Sequence, residues 1–438
     1  MEFFHSVTLD ESKCVGCTNC IKRCPTEAIR VRDGKARIAS ERCIDCGECI
    51  RICPHHAKRA IHMPLADIEK FEFKIALPAP TLYGQFNNLD DIDYILNGLK
   101  KIGFDYVYEV SRAAELVSEA TRLLVDKGDL PRPLISSACP AIVRLIRVRF
   151  PDLCDHVLPL RSPMETAAYI AKKRAASITG LPMEKIGCFF LTPCPAKVTE
   201  IKMPMVIEHS MIDGAVAISE IFPMLSHEMD KLKESELEQI ASSGVIGVSW
   251  STSGGEASAL LSDKYLAADG IENVIRVLEE VEDERIGDLD FIELNACSGG
   301  CVGGVLCVEN AYVAKARIQR LRKYLPVAQN HLEGESVPEI MEWQNSLEYS
   351  NVLTLSEDLG EAMRMMSEID ETVSHLPGLD CGACGAPSCR AFAEDVVRGV
   401  CIKEDCIFIY RKKMQKMTKT ISELYETVQS KETSENDN

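Results

Sequence analysis

From about position 71 the chain alternates strand-length apolar runs with helical stretches. Apolar runs at 73–77, 106–110, 134–137, 186–191, 245–250 and 291–294 predict strands, and the segments 113–127, 163–178 and 271–281 predict helices between them. This alternation predicts an α/β architecture with largely parallel sheets. Open sheets of this kind bind ligands beyond the carboxyl ends of their strands. Cys139, Cys194 and Cys297 each follow a predicted strand and precede a proline- or glycine-bearing turn, so their loops are expected to converge on one crevice. Ahead of this region, short β pieces at 28–31 and 36–38 flank an Asp33-Gly34 turn. Behind it come charged helical residues at 311–324, a polar connection at 329–337, a mixed helix at 354–369, and one amphipathic helix past Arg411 ending in a segment expected to be disordered. The expected domains are 1–65, 70–345 and 350–411, with a helical then disordered tail over 412–438.

Cysteine spacing changes the picture most. Sixteen of the 20 cysteines fall into four sets of four. Cys14, Cys17, Cys20 and Cys24-Pro25 form a C-x2-C-x2-C-x3-C-P run, repeated as Cys43, Cys46, Cys49 and Cys53-Pro54. This resembles the bacterial two-cluster ferredoxin pattern, in which the fourth cysteine of each run ligates the other cluster. The resemblance implies one [4Fe-4S] cluster on Cys14, Cys17, Cys20 and Cys53, and a second on Cys43, Cys46, Cys49 and Cys24. A third set, Cys381, Cys384, Cys389 and Cys406, lies in a segment that resembles a small [4Fe-4S] module of electron-transfer proteins, with Cys401 as a competing fourth ligand. The fourth set is scattered: Cys139, Cys194, Cys297 and Cys301. Cys154, Cys188 and Cys307 are left over and read as small buried hydrophobes.

Composition bounds the rest. With 438 residues, 46% of them hydrophobic, the chain can build two to four domains. A net charge of −18 argues against nucleic acid as a partner, since phosphates need clustered Lys and Arg. The basic stretch Lys412-Lys413-Met414-Gln415-Lys416 reads as a solvated helix face. No run reaches the length of a membrane span, and the start shows neither a basic n-region nor a long apolar stretch. Thiolates at this density imply a reducing compartment, so a cytoplasmic protein is expected.

The scattered cysteines carry a family resemblance. Ser136-Ser137-Ala138-Cys139-Pro140, Thr192-Pro193-Cys194-Pro195-Ala196-Lys197-Val198-Thr199-Glu200, and Glu293-Leu294-Asn295-Ala296-Cys297-Ser298-Gly299-Gly300-Cys301-Val302-Gly303-Gly304 resemble, in order, the three signature segments of [FeFe]-hydrogenases. The likeness extends over 71–324. It implies an α/β domain of two parallel-sheet lobes, preceded by an α+β ferredoxin domain and followed by a small helical Fe–S module. It also implies an H-cluster: a [4Fe-4S] cubane on Cys139, Cys194, Cys297 and Cys301, with Cys301 bridging to a diiron unit that carries CO, cyanide and an azadithiolate. Lys197 matches the family lysine that donates to a cyanide ligand. The implied activity is H2 oxidation or proton reduction. The implied partners are H2, protons, a redox partner such as ferredoxin, and diiron-maturation proteins.

The departures from the family pattern are informative. The family's proton-relaying cysteine before the first ligand is Ala138 here, which cannot titrate. Methionines of the second and third motifs are replaced by Thr192 and Asn295. The third motif continues as Gly303-Gly304-Val305-Leu306-Cys307 in place of a longer glycine run, and 81–86 resembles the first cofactor-contacting loop only loosely. Loss of the relay predicts slow turnover. Together with the C-terminal module, these changes resemble the sensory, group D branch, with signalling through a partner protein or a homodimer built on the 411–428 helix. Glu256 and Glu293 are the first candidates for another proton route, followed by Glu165 and Glu200. Two alternatives stand beside this reading: an ordinary ferredoxin-linked hydrogenase with a rerouted proton path, and a non-enzymatic iron–sulfur assembly or electron-transfer protein without the diiron site.

Overall fold

The computed structural model describes residues 4–436, with side chains through 426. The chain divides into two compact units. One comprises residues 1–8, 40–51 and 58–351, and the other residues 9–39, 52–57 and 352–438. The 1–65 segment expected as one ferredoxin domain is therefore shared between them. Local bonding explains this. In the first unit, the buried Asp45 carboxylate accepts from the backbone N–H groups of Ser6 (3.0 Å) and Val7 (2.9 Å) and from Thr199 Oγ1 (2.8 Å), and lies 3.7 Å from the Arg144 guanidinium. In the second unit, the hairpin Ile29–Arg32/Lys35–Ile38 turns at Asp33-Gly34, both at positive φ, and bonds to the C-terminal module: Val31 N donates to Gly385 O at 2.8 Å.

Asp45→Ala leaves several buried donors without their acceptor and removes one of the two carboxylates beside the buried Arg144 guanidinium. It is expected to cost the first unit about 3–5 kcal/mol. A thermal melt of the variant that coincides with the parent's would contradict this.

The first unit holds two parallel sheets. One has four strands, in the order Tyr106–Val107, Phe73–Pro78, Ile186–Thr192, Gly214–Ala217. The other has three, in the order Tyr265–Asp269, Phe291–Asn295, Leu134–Ile135. Every residue of Ile186–Thr192 is buried, as a central parallel strand covered by helices requires. The helices Val110–Lys127 and Pro163–Thr179 pack against the four-stranded sheet through alanine-rich faces, including Ala113, Ala167, Ala168 and Ala171. Helix Ile271–Glu282 covers the three-stranded sheet through Val274 and Leu278.

The expected strand at 245–250 is a short helix, Val245–Ser249. A short apolar run does not distinguish the two states by pattern alone. Here Gly247 lets the segment pack tightly, since a Cβ there would lie 2.1 Å from Ser111 O. The expected strand at 106–110 shortens because helix Val110–Lys127 starts at its end.

The second unit, beyond the hairpin, carries helices Leu359–His375, Cys389–Val397 and Ile407–Asn436. Ile369, Leu376, Ala391, Phe392 and Cys406 form its core. The last helix runs through most of the tail expected to be disordered. No proline or glycine interrupts it, and Lys, Glu and Gln favour the helix. Positions 437 and 438 lie outside the described residues. Among the described residues, no helix is long and apolar enough to cross a membrane.

Candidate metal centre

Both sheets of the first unit aim their carboxyl ends at one cavity. Cys139, Cys194, Cys297 and Cys301 all line it. Cys139 caps helix Pro140–Arg149 and Cys194 caps helix Pro195–Lys202, each with proline in the first helical position. Cys297 follows strand Phe291–Asn295, and Cys301 opens the 3-10 turn Cys301–Gly303. The loop between these two cysteines needs glycine. Gly300 has φ +91°, and a Cβ on it would meet Ser253 N at 2.4 Å; one on Gly304 would meet Pro193 O at 2.2 Å.

The thiols are electrostatically frustrated without a cation. Burial, and then the neighbouring Cys139, push Cys194 up to about 11 and Cys301 up to about 12; burial and the same neighbours hold Cys297 well above the ordinary thiol range. Four half-buried cysteines gathered on one cavity wall are a donor set for soft metal, since metal binding must offset the desolvation and mutual repulsion of thiolates. The surroundings fit a larger group as well. Lys197 lines the cavity, with Nζ donating to Ala138 O at 2.7 Å. Thr81 also lines it, and its buried Oγ1 has no hydrogen-bond partner among the described residues, which leaves a polar atom for a bound group. Cys46, from the second ferredoxin-like run, lines the same cavity, and Arg51 Nη2 ties that run to Gly303 O at 2.8 Å.

The glutamates separate by position. Glu256 and Glu293 line the main cavity. Glu256 accepts from Ser136 Oγ at 2.7 Å, and burial together with the adjacent Glu293 pushes its carboxyl up to about 8. Glu293 is raised by burial, but it accepts from Gly254 N (3.0 Å), Ala257 N (2.9 Å) and Asn295 Nδ2 (2.6 Å), bonds that favour its charged form. Of the pair, Glu256 is the member that holds a proton at neutral pH. Glu165 and Glu200 instead line a second, smaller cavity, which shares Ala138, Pro140 and Lys197 with the first. Glu165 is held there by Ser210 Oγ at 2.5 Å, and Glu200 lies 3.5 Å from the Arg144 guanidinium. Thr192 Oγ1 bonds Cys194 O (2.9 Å) and accepts from Cys194 N (3.1 Å), so it shapes the ligand loop.

In the second unit, Cys381, Cys384, Cys389 and Cys406 line one pocket, and Cys401 is not among its lining residues. Cys401 Sγ instead faces Phe392 O at 4.0 Å. Cys384 is raised by burial and by Cys406 and Cys381. Cys14, Cys17, Cys20, Cys24 and Cys53 also belong to this unit, whereas Cys43, Cys46 and Cys49 belong to the first. Backbone N–H groups point at three of the sulfurs: Ala36 at Cys14 (3.5 Å), Ala28 at Cys24 (3.2 Å) and Ala57 at Cys53 (3.3 Å). Such contacts stabilise metal-bound thiolate. None of the cysteines forms a disulfide, and Cys154 and Cys188 are buried in hydrophobic clusters.

Comparison with known proteins agrees with this geometry. The model of the iron only hydrogenase large subunit, C-terminal domain, matches residues 72–305, more than half of the chain. The chain belongs to the iron-only hydrogenase family. A 4Fe-4S dicluster domain model matches residues 6–54 of this hydrogenase-family chain, and an Fe-S cluster model matches 376–408. The periplasmic [Fe] hydrogenase large subunit of Nitratidesulfovibrio vulgaris is 27% identical over 360 residues, covering 68% of this chain and 86% of the relative. Iron hydrogenase 1 of Clostridium pasteurianum is 24% identical over 374 residues, 68% of this chain but 64% of the relative, so the chain spans just under two thirds of that protein. A cytosolic Fe-S cluster assembly factor of Aspergillus flavus is 26% identical over 117 residues, 26% of this chain and 21% of the relative.

Sequence reasoning overlooked Cys46 as a cavity residue, Ser136 as the partner of Glu256, and the unpartnered hydroxyl of Thr81. Thr81 had a signal in its loosely matching loop. Cys46 had none, because its chain neighbours explain it fully as a ferredoxin ligand.

Proposed function

We propose that this hydrogenase-family chain binds H2 and interconverts it with protons and electrons in the cavity of Cys139, Cys194, Cys297 and Cys301, with low turnover and in an H2- or redox-sensing role. The observation that carries the reading is the convergence of these four thiols with Lys197 and the orphan Thr81 hydroxyl at the carboxyl ends of two parallel sheets. An H-cluster, when bound, supplies the metal at which H2 is cleaved heterolytically. Lys197 offers a cation and a donor beside it, and the largely apolar wall (Ala79, Pro80, Val110, Phe190, Trp250) excludes water. Glu256, whose Oε2 accepts from Ser136 Oγ, can hold a proton on its carboxyl and pass it along the cavity edge, since Ala138 cannot. Proton transfer without a thiol relay supports slow turnover.

Following the ferredoxin pattern, Cys14, Cys17, Cys20 and Cys53 hold one [4Fe-4S] cluster, and Cys43, Cys46, Cys49 and Cys24 the other. Cys46 on the cavity wall supports electron entry through the second run. Cys381, Cys384, Cys389 and Cys406 hold a further cluster in a small helical module. The iron–sulfur spacing of sixteen cysteines supports a reducing, cytoplasmic setting. The test is turnover of chain loaded with iron, sulfide and a diiron complex. Slow H2 evolution from reduced viologen is expected, and fully loaded protein that makes no H2 and consumes none would refute the reading.

The last helix supports a partner. Ile407, Tyr410, Met414, Met417, Ile421 and Leu424 repeat at alternating steps of three and four, each between 43% and 63% exposed. Ile421 and Leu424, at successive core positions of this heptad, suit a parallel two-stranded coil. In that arrangement the flanking Lys413 faces Thr418 of the other copy, without like-charge repulsion. Sedimentation is expected to give a dimer that Met417→Lys converts to monomer with clusters intact; a monomeric parent would contradict pairing with a second copy.

A further inference from the structure

We propose that Arg32 and Asp395 set the reduction potential of the C-terminal cluster in opposite directions. This rests on the reading that Cys381, Cys384, Cys389 and Cys406 hold a cluster. Arg32 ends the hairpin strand Ile29–Arg32, well away in sequence from the module it touches. Its Nη1 donates to Cys384 O at 2.9 Å and to Val31 O at 3.1 Å, and its Nη2 donates to Asp395 Oδ2 at 2.5 Å. Asp395 lies on helix Cys389–Val397, which starts at a proposed cluster ligand, and its side chain is 10% exposed. Arg30 Nε donates to the same Oδ2 at 2.8 Å, while its Nη1 is held by Glu27 O at 2.7 Å. Two largely buried guanidiniums therefore share one carboxylate. One of the two, Arg32, is also bonded to the carbonyl of a cluster cysteine.

The contact is built to stay fixed. Ser388 Oγ donates to Glu27 Oε1 at 3.1 Å, and a Cβ on Gly385 (φ +80°) would lie 1.9 Å from Val31 O, so the two segments meet backbone to backbone. A fixed charge in a site of low dielectric acts strongly on a cluster whose own charge changes on reduction. Reduction adds one negative charge. The Arg32 cation at Cys384 favours the reduced form and raises the potential, and the Asp395 carboxylate opposes it. A one-electron hop from the cluster on Cys14, Cys17, Cys20 and Cys53 oxidises that cluster by one electron and reduces the C-terminal one by one. The Arg32 cation favours this direction, the Lys35 cation on Cys14 O (2.7 Å) opposes it, and an external one-electron acceptor drains the C-terminal end.

An ion pair that merely glues the module in place would behave differently. Loosening either side would expose the cluster to water and shift its potential the same way. The experiment is a redox titration of the full-length, reconstituted chain followed by electron paramagnetic resonance, with the C-terminal signal assigned by its loss in Cys389→Ala. Arg32→Gln is expected to lower the midpoint of that signal and Asp395→Asn to raise it. Arg30→Gln, which removes a cation farther from Cys384, is expected to lower it less. Shifts of the same sign in Arg32→Gln and Asp395→Asn, or no shift, overturn the proposal. If Cys389→Ala removes no signal, the cluster assignment itself fails, which is a separate result. Equal thermal melts of parent and variants show that the shifts do not come from unfolding.

Discussion

Cys301→Ala is expected to abolish H2 turnover by more than about 10^4-fold, beyond what one acid or base contributes. Cys307→Ala, six residues on, is expected to leave most of it. The contrast follows from placement. Cys301 opens a 3-10 turn on the cavity wall, and its thiol is driven up to about 12 by burial and by Cys139, an unfavourable setting for a bare thiolate that a metal relieves. Cys307 is half-buried, not fully buried as expected, and its thiol is also raised, yet it is not among the residues lining the cavity; its Sγ faces Cys301 O at 3.8 Å. Turnover paired with iron analysis checks this: Cys301→Ala should lose the cavity's metal while keeping ferredoxin-type signals. Equal loss in both variants would mean that the loop's fold, not its ligand, was being measured.

Glu256→Gln is expected to slow turnover by about 10^2–10^4-fold with the metal content unchanged. Glu256 has one side-chain partner, Ser136, and sits at about 8 because it is buried beside Glu293. It is thus protonated at neutral pH and loses its proton as pH rises through about 8. Proton reduction should decline over that interval in the parent, and the decline should vanish in the glutamine variant. Glu293→Gln should have a different signature. Its oxygens accept from Gly254, Ala257 and Asn295, so the substitution disturbs the loop before it disturbs any proton. Its cost should appear in metal loading as well as in rate. Unaltered turnover in both variants would remove this proton route.

Much of the site was legible in the sequence because its chemistry is local. Iron–sulfur spacing brings three ligands together within one loop, whatever surrounds it, and Cys139, Cys194 and Cys297 stand immediately after strands that are apolar enough to recognise. Cys406 could be ranked against Cys401 only by spacing; the pocket shared with Cys381, Cys384 and Cys389 adds a geometric reason.

What was not legible depends on contacts distant in sequence. Gly214–Ala217 is too short and too poor in large residues to announce a strand, and Val245–Ser249 is helical because Gly247 fits against Ser111. The Ser6–Asp45–Thr199 network and the Arg30–Asp395–Arg32 group join segments 39 to 365 residues apart, and no local pattern encodes them. They are also the reason the ferredoxin-like segment divides between two units.

The most direct test of H2 chemistry in this cavity is an infrared spectrum of the loaded chain, recorded first under argon and then under H2. Sharp CO and cyanide bands that shift on admitting H2, and that are absent from Cys301→Ala, are the predicted result. Protein with its cubanes shown to be present but without such bands would contradict it, and would leave the chain an iron–sulfur protein of electron transfer or assembly.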